Sequence, residues 1–80
     1  MYDPKITLRE MMAAGRRLLN ALSLEEEFRR LHADNPEAEV FRQWQASRRL
    51  VTSSQRDYDE SAERHHEAIR GSVHELAMRV

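Results

Sequence analysis

The stretch Ala33-Asp34-Asn35-Pro36 divides the chain into two helical halves. Asn35 is a favourable N-cap residue, and Pro36 suits the first helical position because its missing N–H is not needed there. A proline also pushes the residue before it out of the α region, so an earlier helix should end ahead of it. The sequence therefore predicts an N-terminal helical segment over residues 7–33 and a long C-terminal helical segment over residues 36–79.

The composition restricts the fold class to small helical proteins. The 80 residues include 13 Lys and Arg against 14 Asp and Glu, for a net charge of -1, and 34% of the residues are charged. Two glycines and two prolines supply too few turn signals for an all-β domain. The chain has no cysteine, which excludes a disulfide scaffold and a thiolate metal site. We expect residues 1–80 to form a single all-α domain.

The N-terminal half carries an amphipathic pattern that starts at a capping box. The run from Thr7 to Glu10 has the Thr-x-x-Glu spacing of that motif, which predicts a helix start at Thr7. A second such pattern at Ser23 leaves two possibilities, a helix pair or one unbroken helix. A glycine inside a helix costs about 1 kcal/mol relative to alanine, so Gly15 should permit the close approach of another helix. Its neighbours on one helical face are Leu8, Met11, Met12, Leu18, Leu19 and Leu22.

A heptad repeat runs through the C-terminal half and predicts a coiled-coil-like seam with polar layers. Written with Phe41 at a, its a positions are Phe41, Arg48, Gln55, Ala62, Ile69 and Leu76. Its d positions are Trp44, Val51, Tyr58, His65, Ser72 and Arg79.

The length of this second segment raises a conflict that only two arrangements resolve. An unbroken helix over residues 36–79 would be about 66 Å long. A compact domain of this size has a radius of gyration of only about 12 Å. Either the helix breaks, at Thr52–Ser54 or at Gly71, or it projects and pairs with a second chain. We therefore expect a short N-terminal helix or helix pair packed on a long, possibly broken C-terminal helix, in a coiled-coil-like or helical-bundle homodimer.

Large apolar residues are sparse in the C-terminal half, which favours self-association. Between Thr52 and Ala68 the only sizeable one is Tyr58. Domains this small often gain the missing burial by forming oligomers. We expect the interface between copies to contain Phe41, Trp44, Val51, Tyr58, His65, Ile69 and Leu76.

The aromatic pair Phe41 and Trp44 has two interpretations. The first is a core contact with the face of the N-terminal helix that carries Leu18 and Leu22. The second is an aromatic hot spot for a partner protein.

One motif could bind a metal. Glu63 and His66 form a Glu-x-x-His step, which places both side chains on one helix face and occurs in di-metal helical bundles. Such a bundle needs further inward-facing glutamates from facing helices, and the first helix offers only Glu10, on the margin of its apolar face, although a symmetric dimer could bring two Glu-x-x-His steps together. A ferritin-like metal-binding bundle with Glu63 and His66 as candidate ligands is thus the alternative to our main expectation, which includes neither metal nor cofactor.

The remaining patterns argue against several function classes. The sequence has no glycine-rich phosphate loop, nucleophile elbow or paired-histidine zinc motif, so we do not expect an enzyme. Its arginine doublets are interleaved with acidic residues, which is typical of a solvated surface and not of a nucleic-acid interface. The N-terminus does not resemble a signal peptide, and no apolar run could span a membrane. We expect a cytoplasmic helical interaction or regulatory protein that binds another protein as a homodimer.

Overall fold

The computed structural model describes residues 2–79, which form a helical hairpin. Helix α1 spans Pro4–Asp34 (31 residues), and helix α2 spans Ala38–Arg79 (42 residues). The hairpin measures 64 × 14 × 13 Å and its radius of gyration is 18.4 Å. The described residues contain no strand, which confirms the all-α prediction. The N-terminal half is one unbroken helix, and α2 follows it back along its length.

Helix α1 begins earlier than the capping box predicts. Asp3 is the N-cap, its Oδ1 accepts a hydrogen bond from the Lys5 amide at 2.9 Å, and Pro4 is the first helical residue. The Thr7 amide already donates to the Asp3 carbonyl at 3.0 Å, so Thr7 lies inside the helix. The start predicted at Thr7 is therefore wrong, because Asp3 followed by Pro4 supplies an N-cap and a preset φ one turn earlier.

Helix α2 begins two residues later than predicted. Asn35 instead closes α1, where its amide donates to the Leu31 carbonyl at 2.8 Å. The Glu37 carbonyl accepts from the Phe41 amide at 3.0 Å, so Glu37 takes the place of the residue that opens α2. Asn35 to Glu37 thus form the connection, with Pro36 in it instead of at the first helical position.

Helix α2 is continuous through both predicted breakpoints. The Thr52 hydroxyl donates to the Arg48 carbonyl at 3.2 Å, and the Ser53 hydroxyl donates to the Leu50 carbonyl at 3.1 Å. These bonds satisfy the hydroxyls along the helix itself, so the weak helix formers do not interrupt it. Gly71 also lies inside the helix. The chain resolves the length conflict by projecting, since α2 keeps its full length.

Small side chains at seven-residue spacing form the centre of the contact between α1 and α2. Beside them, the first five predicted d positions are half-buried, from Trp44 to Ser72. The predicted a positions are exposed, except for half-buried Ala62. We call the contact between α1 and α2 the seam. On α2 it consists of the d positions and a second row of small residues that the heptad assignment missed. The buried residues of the described chain are Thr7, Ala14 and Ala21 on α1, and Ser47, Ser54, Ser61 and Ala68 on α2.

Candidate interaction surfaces

A row of large apolar side chains on α1 lies in solvent beside the seam. Leu19 is 65% exposed and Met12 is 52% exposed. The members of this row follow one another at intervals of three and four residues. The seam residues of α1 have the same intervals, and each lies one position earlier in the sequence. The sequence placed these residues on one face with Met11 and Leu18, but those two are half-buried in the seam. We call this row the exposed stripe; its residues are Leu8, Met12, Gly15, Leu19 and Leu22.

Gly15 lies where the exposed stripe meets the seam. A Cβ atom at this position would be 3.4 Å from Cε2 of the Tyr58 ring. Tyr58 therefore packs against the bare backbone of α1, and the predicted close approach of another helix is confirmed within the chain. Gly71, by contrast, has open space at the position of its missing Cβ.

Helix α2 extends beyond the start of α1. Thr7 and His65 are level with each other, since the Thr7 Oγ1 and the His65 Nδ1 are hydrogen-bonded at 3.0 Å. Helix α1 begins only three residues before Thr7, and Ala68 is the last buried residue of α2. Residues 69–79, which we call the overhang, therefore have no helix beside them. The exposed apolar residues of the overhang are Ile69, Val73, Leu76 and Met78.

The structure separates the seven residues predicted for the dimer interface into two groups. Trp44, Val51, Tyr58 and His65 are half-buried between α1 and α2 of one chain. The other three are exposed, by 40% for Phe41, 43% for Ile69 and 62% for Leu76. An interface between copies on all seven residues stays a prediction, and only the second group is free on the hairpin surface.

An aromatic cluster closes the hairpin next to the connection. The His32 ring lies 5.3 Å from the Phe41 ring and 5.2 Å from the Trp44 ring, centroid to centroid. The Trp44 Nε1 donates to the Glu25 Oε1 at 2.9 Å. The Arg48 guanidinium lies over the Trp44 ring, 5.8 Å from its centroid. These contacts fix the closed end of the hairpin through one aromatic group with polar partners.

The location of this cluster bears on one interpretation of the sequence. Trp44 contacts Glu25 and His32, which follow Leu18 at seven-residue steps and therefore share its face of α1. The start of α2 lies beside the end of α1 in a hairpin, so the two aromatic residues meet this face at His32, beyond Leu18 and Leu22. The alternative, an aromatic hot spot for a partner, stays a prediction because Phe41 is partly exposed.

The opposite side of the seam carries a shallow apolar groove. Its two leucines are exposed, with 38% of Leu24 and 45% of Leu50 in solvent. The groove is lined by Leu24, Phe28, Gln43, Ala46, Ser47 and Leu50.

Glu63 and His66, the candidate metal ligands, are both exposed on the outer side of α2. Within residues 2–79, no group of three or more His, Asp or Glu side chains is arranged to hold a metal ion. Glu10 lies across from Arg64 instead, with its Oε2 3.8 Å from the Arg64 Nε. Metal binding by Glu63 and His66 stays a prediction.

The helices also lack the character of membrane spans. Neither of the two helices in the described part of the chain combines the length and the apolar composition needed to cross a bilayer.

Comparisons with known proteins add no assignment. The chain matches no protein-family model, and no curated protein or solved structure is significantly similar to it.

Proposed function

We propose that this chain is a small, non-enzymatic interaction protein of the cytoplasm that works as a homodimer and binds another protein. One observation carries the proposal: the hairpin buries its small residues and exposes its large apolar ones. Each buried position in the described residues holds alanine, serine or threonine, whereas seven of the eight leucines, together with Met12, Met78 and Phe41, are exposed. Contiguous exposed apolar surface of this kind is typical of protein interaction sites.

The energetics of burial support the same conclusion. Burying apolar surface contributes about 25 cal/mol per Å², so alanine and serine side chains contribute little when the two helices pack. No side chain larger than these is fully buried within residues 2–79. A domain of this size has a marginal core even when large residues fill it. Association that covers the exposed leucines would therefore supply stability that one hairpin lacks.

Two surfaces are available, and they face different directions. Successive residues turn by about 100° around a helix axis. Leu22 of the exposed stripe thus lies about 100° to one side of buried Ala21, and Leu24 of the groove lies about 60° to the other side. We assign the exposed stripe to the contact between two copies and the groove to the partner protein.

Dimerisation can be tested with a single charge. Leu19→Glu places a carboxylate in the exposed stripe, and Asn20→Glu adds the same charge one residue away on an exposed position off the stripe. We expect sedimentation equilibrium to show a dimer for the wild-type chain and for Asn20→Glu. The dimer of Leu19→Glu should be weaker by about thirtyfold or more, the size of a hot-spot loss. A wild-type chain that stays monomeric at high micromolar concentration would contradict the proposal.

The partner surface needs a different variant pair. Leu50→Asp introduces a charge into the groove, and Ser53→Asp introduces it on the exposed side of α2. Both variants should remain dimeric. Proteins cross-linked to the wild-type chain in its native host should be retained by Ser53→Asp and lost from Leu50→Asp. Equal capture by both variants would remove the groove as the partner site.

A further inference from the structure

We infer that a second copy of this chain covers the exposed stripe in an antiparallel arrangement, with α1 packed against α1 and the two hairpin loops at opposite ends. The product is a four-helix bundle with a two-fold axis near residues 13 and 14. This inference rests on the proposed homodimer and adds the orientation and register that the proposed function leaves open.

The surface area of the hairpin fits one chain of such a dimer. Its accessible surface is 6330 Å². A compact monomer of the same mass would expose about 5,000 Å². The excess, about 1,300 Å², falls within the range of about 1,000–2,500 Å² that one chain of a stable homodimer buries, which is half of the roughly 2,000–5,000 Å² total of these interfaces.

The side-chain sizes in the exposed stripe select a register. In an antiparallel pair of helices with heptad spacing, residues of the two repeating positions alternate across the contact. One register places Leu8 opposite Leu19 of the second copy and Met12 opposite Gly15 of the second copy. The longest side chain of the stripe then lies over the bare backbone at Gly15, beside the Tyr58 ring, and the two-fold axis repeats both pairs. The same register sets Leu22 opposite Lys5, whose four-carbon stem can pack on the leucine, whereas a shift by one heptad would place Leu8 opposite the shorter, acidic Glu26.

The two other symmetric arrangements fit less well. A parallel pairing of α1 with α1 brings Lys5 beside Lys5 of the second copy and Glu26 beside Glu26, because both continue the line of Met12 and Leu19 at seven-residue steps. It also leaves a gap where two copies of Gly15 meet. A pairing of α1 with α2, loops at the same end, sets the apolar stripe against exposed polar residues at the same height, namely Thr52, Gln55 and Asp59.

The shape of the hairpin supports the same register independently. Thr7 is level with His65. Counting from that pair, the end of the overhang lies fourteen residues beyond the height of Thr7. In the register that sets Leu8 opposite Leu19, the second copy's α1 ends, at Asp34, at this same height. Each overhang is then covered along its full length by the loop end of the other hairpin. Leu76 of the overhang comes level with Phe41 of the second copy. Two exposed apolar residues, one at the open end of a hairpin and one at the loop end of the other, then cover each other.

Spin labels distinguish the arrangements, since the native chain has no cysteine. Ala33→Cys carries a label at the exposed end of α1, and Arg16→Cys carries one near the inferred axis. In the antiparallel bundle the two Ala33→Cys labels should be about 60 Å apart, at 1.5 Å per residue, and the Arg16→Cys labels within about 25 Å. A distance below about 30 Å at Ala33→Cys would show loops at the same end and overturn the inference while leaving the homodimer intact. A monomer in both experiments would overturn the inference and the proposed function together.

A charge exchange tests the register itself. Leu8→Lys and Leu19→Glu should each weaken the dimer by about thirtyfold or more. The double variant should recover most of that loss, because each lysine then faces a glutamate of the second copy. A double variant as weak as the product of the two single effects would exclude the pairing of Leu8 with Leu19, and a cycle of this kind isolates the pairwise coupling.

Discussion

Helix α1 carries two apolar stripes that are offset by one residue in the sequence, and only one of them packs on α2. The seam stripe includes Ala14 and Ala21, which are 0% and 2% exposed, and it packs on α2. The exposed stripe includes Met12 and Leu19, which are more than half exposed. Side-chain size thus follows the opposite order from that in an ordinary core, where the largest apolar residues are the most buried.

The difference separates folding from association. Small residues let α1 and α2 approach closely but supply little hydrophobic free energy. The large residues face outward, where a second chain would have to bury them. Substitutions in the seam should therefore change the free energy of unfolding of one chain, and substitutions in the exposed stripe should change the dissociation constant. Measurements on Leu19→Glu, at concentrations where sedimentation shows a monomer, distinguish the two effects; we call this variant under these conditions the monomeric background.

Enlarging a seam residue should have the largest effect on the single chain. Ala14→Leu inserts a branched side chain at a position with no exposed surface. Overpacking of this kind costs about 1–3 kcal/mol, and a rigid helix pair places the expected loss near the upper end. Urea unfolding of the monomeric background gives the free energy. Ala77→Leu, at an exposed position of the overhang, is the matched control and should change stability by less than about 0.5 kcal/mol.

Removing the polar contact at the closed end should have an intermediate effect. Trp44→Phe keeps an aromatic ring beside His32 but removes the Nε1 donor that Glu25 accepts at 2.9 Å. Glu25 is half-buried, so the expected loss is about 1–2 kcal/mol in unfolding free energy. Glu25→Gln keeps an acceptor oxygen for the indole and should lose clearly less. Equal losses in the two variants would show that the ring packing matters and the hydrogen bond does not.

The sequence was sufficient for the fold class and for part of the seam. The Asn35-Pro36 boundary predicted two helical segments, and the heptad d positions from Trp44 to His65 do lie against α1. The predicted helix starts were wrong by a few residues. At the start of α1, Asp3 and Thr7 are both suitable N-caps, and only the packing of α1 on α2 decides between them. Thr7 is buried, and its hydroxyl bonds to His65 instead of capping the helix.

The exposed stripe could not be separated from the seam by hydrophobicity alone. Both stripes repeat every seven residues, and the exposed one has the larger side chains, so it looks like the stronger core signal. The distinguishing signal was the spacing of small residues, Ala14 and Ala21 on α1 and a serine at every seventh position from Ser47 to Ser61. Serine carries no hydrophobic weight, so a search for apolar periodicity passes over it.

The smallest predicted effect occurs at Gly15, where the two stripes meet. A substitution there should raise the stability of the single chain and lower the affinity of the dimer. Gly15→Ala should stabilise the monomeric background by up to about 1 kcal/mol, because alanine favours the helix and its Cβ reaches the Tyr58 ring at 3.4 Å, an ordinary contact. The same methyl group should weaken the dimer severalfold, since it projects between the Tyr58 ring and the position inferred for Met12 of the second copy and keeps the two α1 helices further apart. Gly71→Ala, with open space around its Cβ, should give a similar or smaller gain in stability and leave the dimer unchanged. If Gly15→Ala strengthened both folding and dimerisation, the space over the glycine would belong to the seam alone, and the two stripes of α1 would not share it.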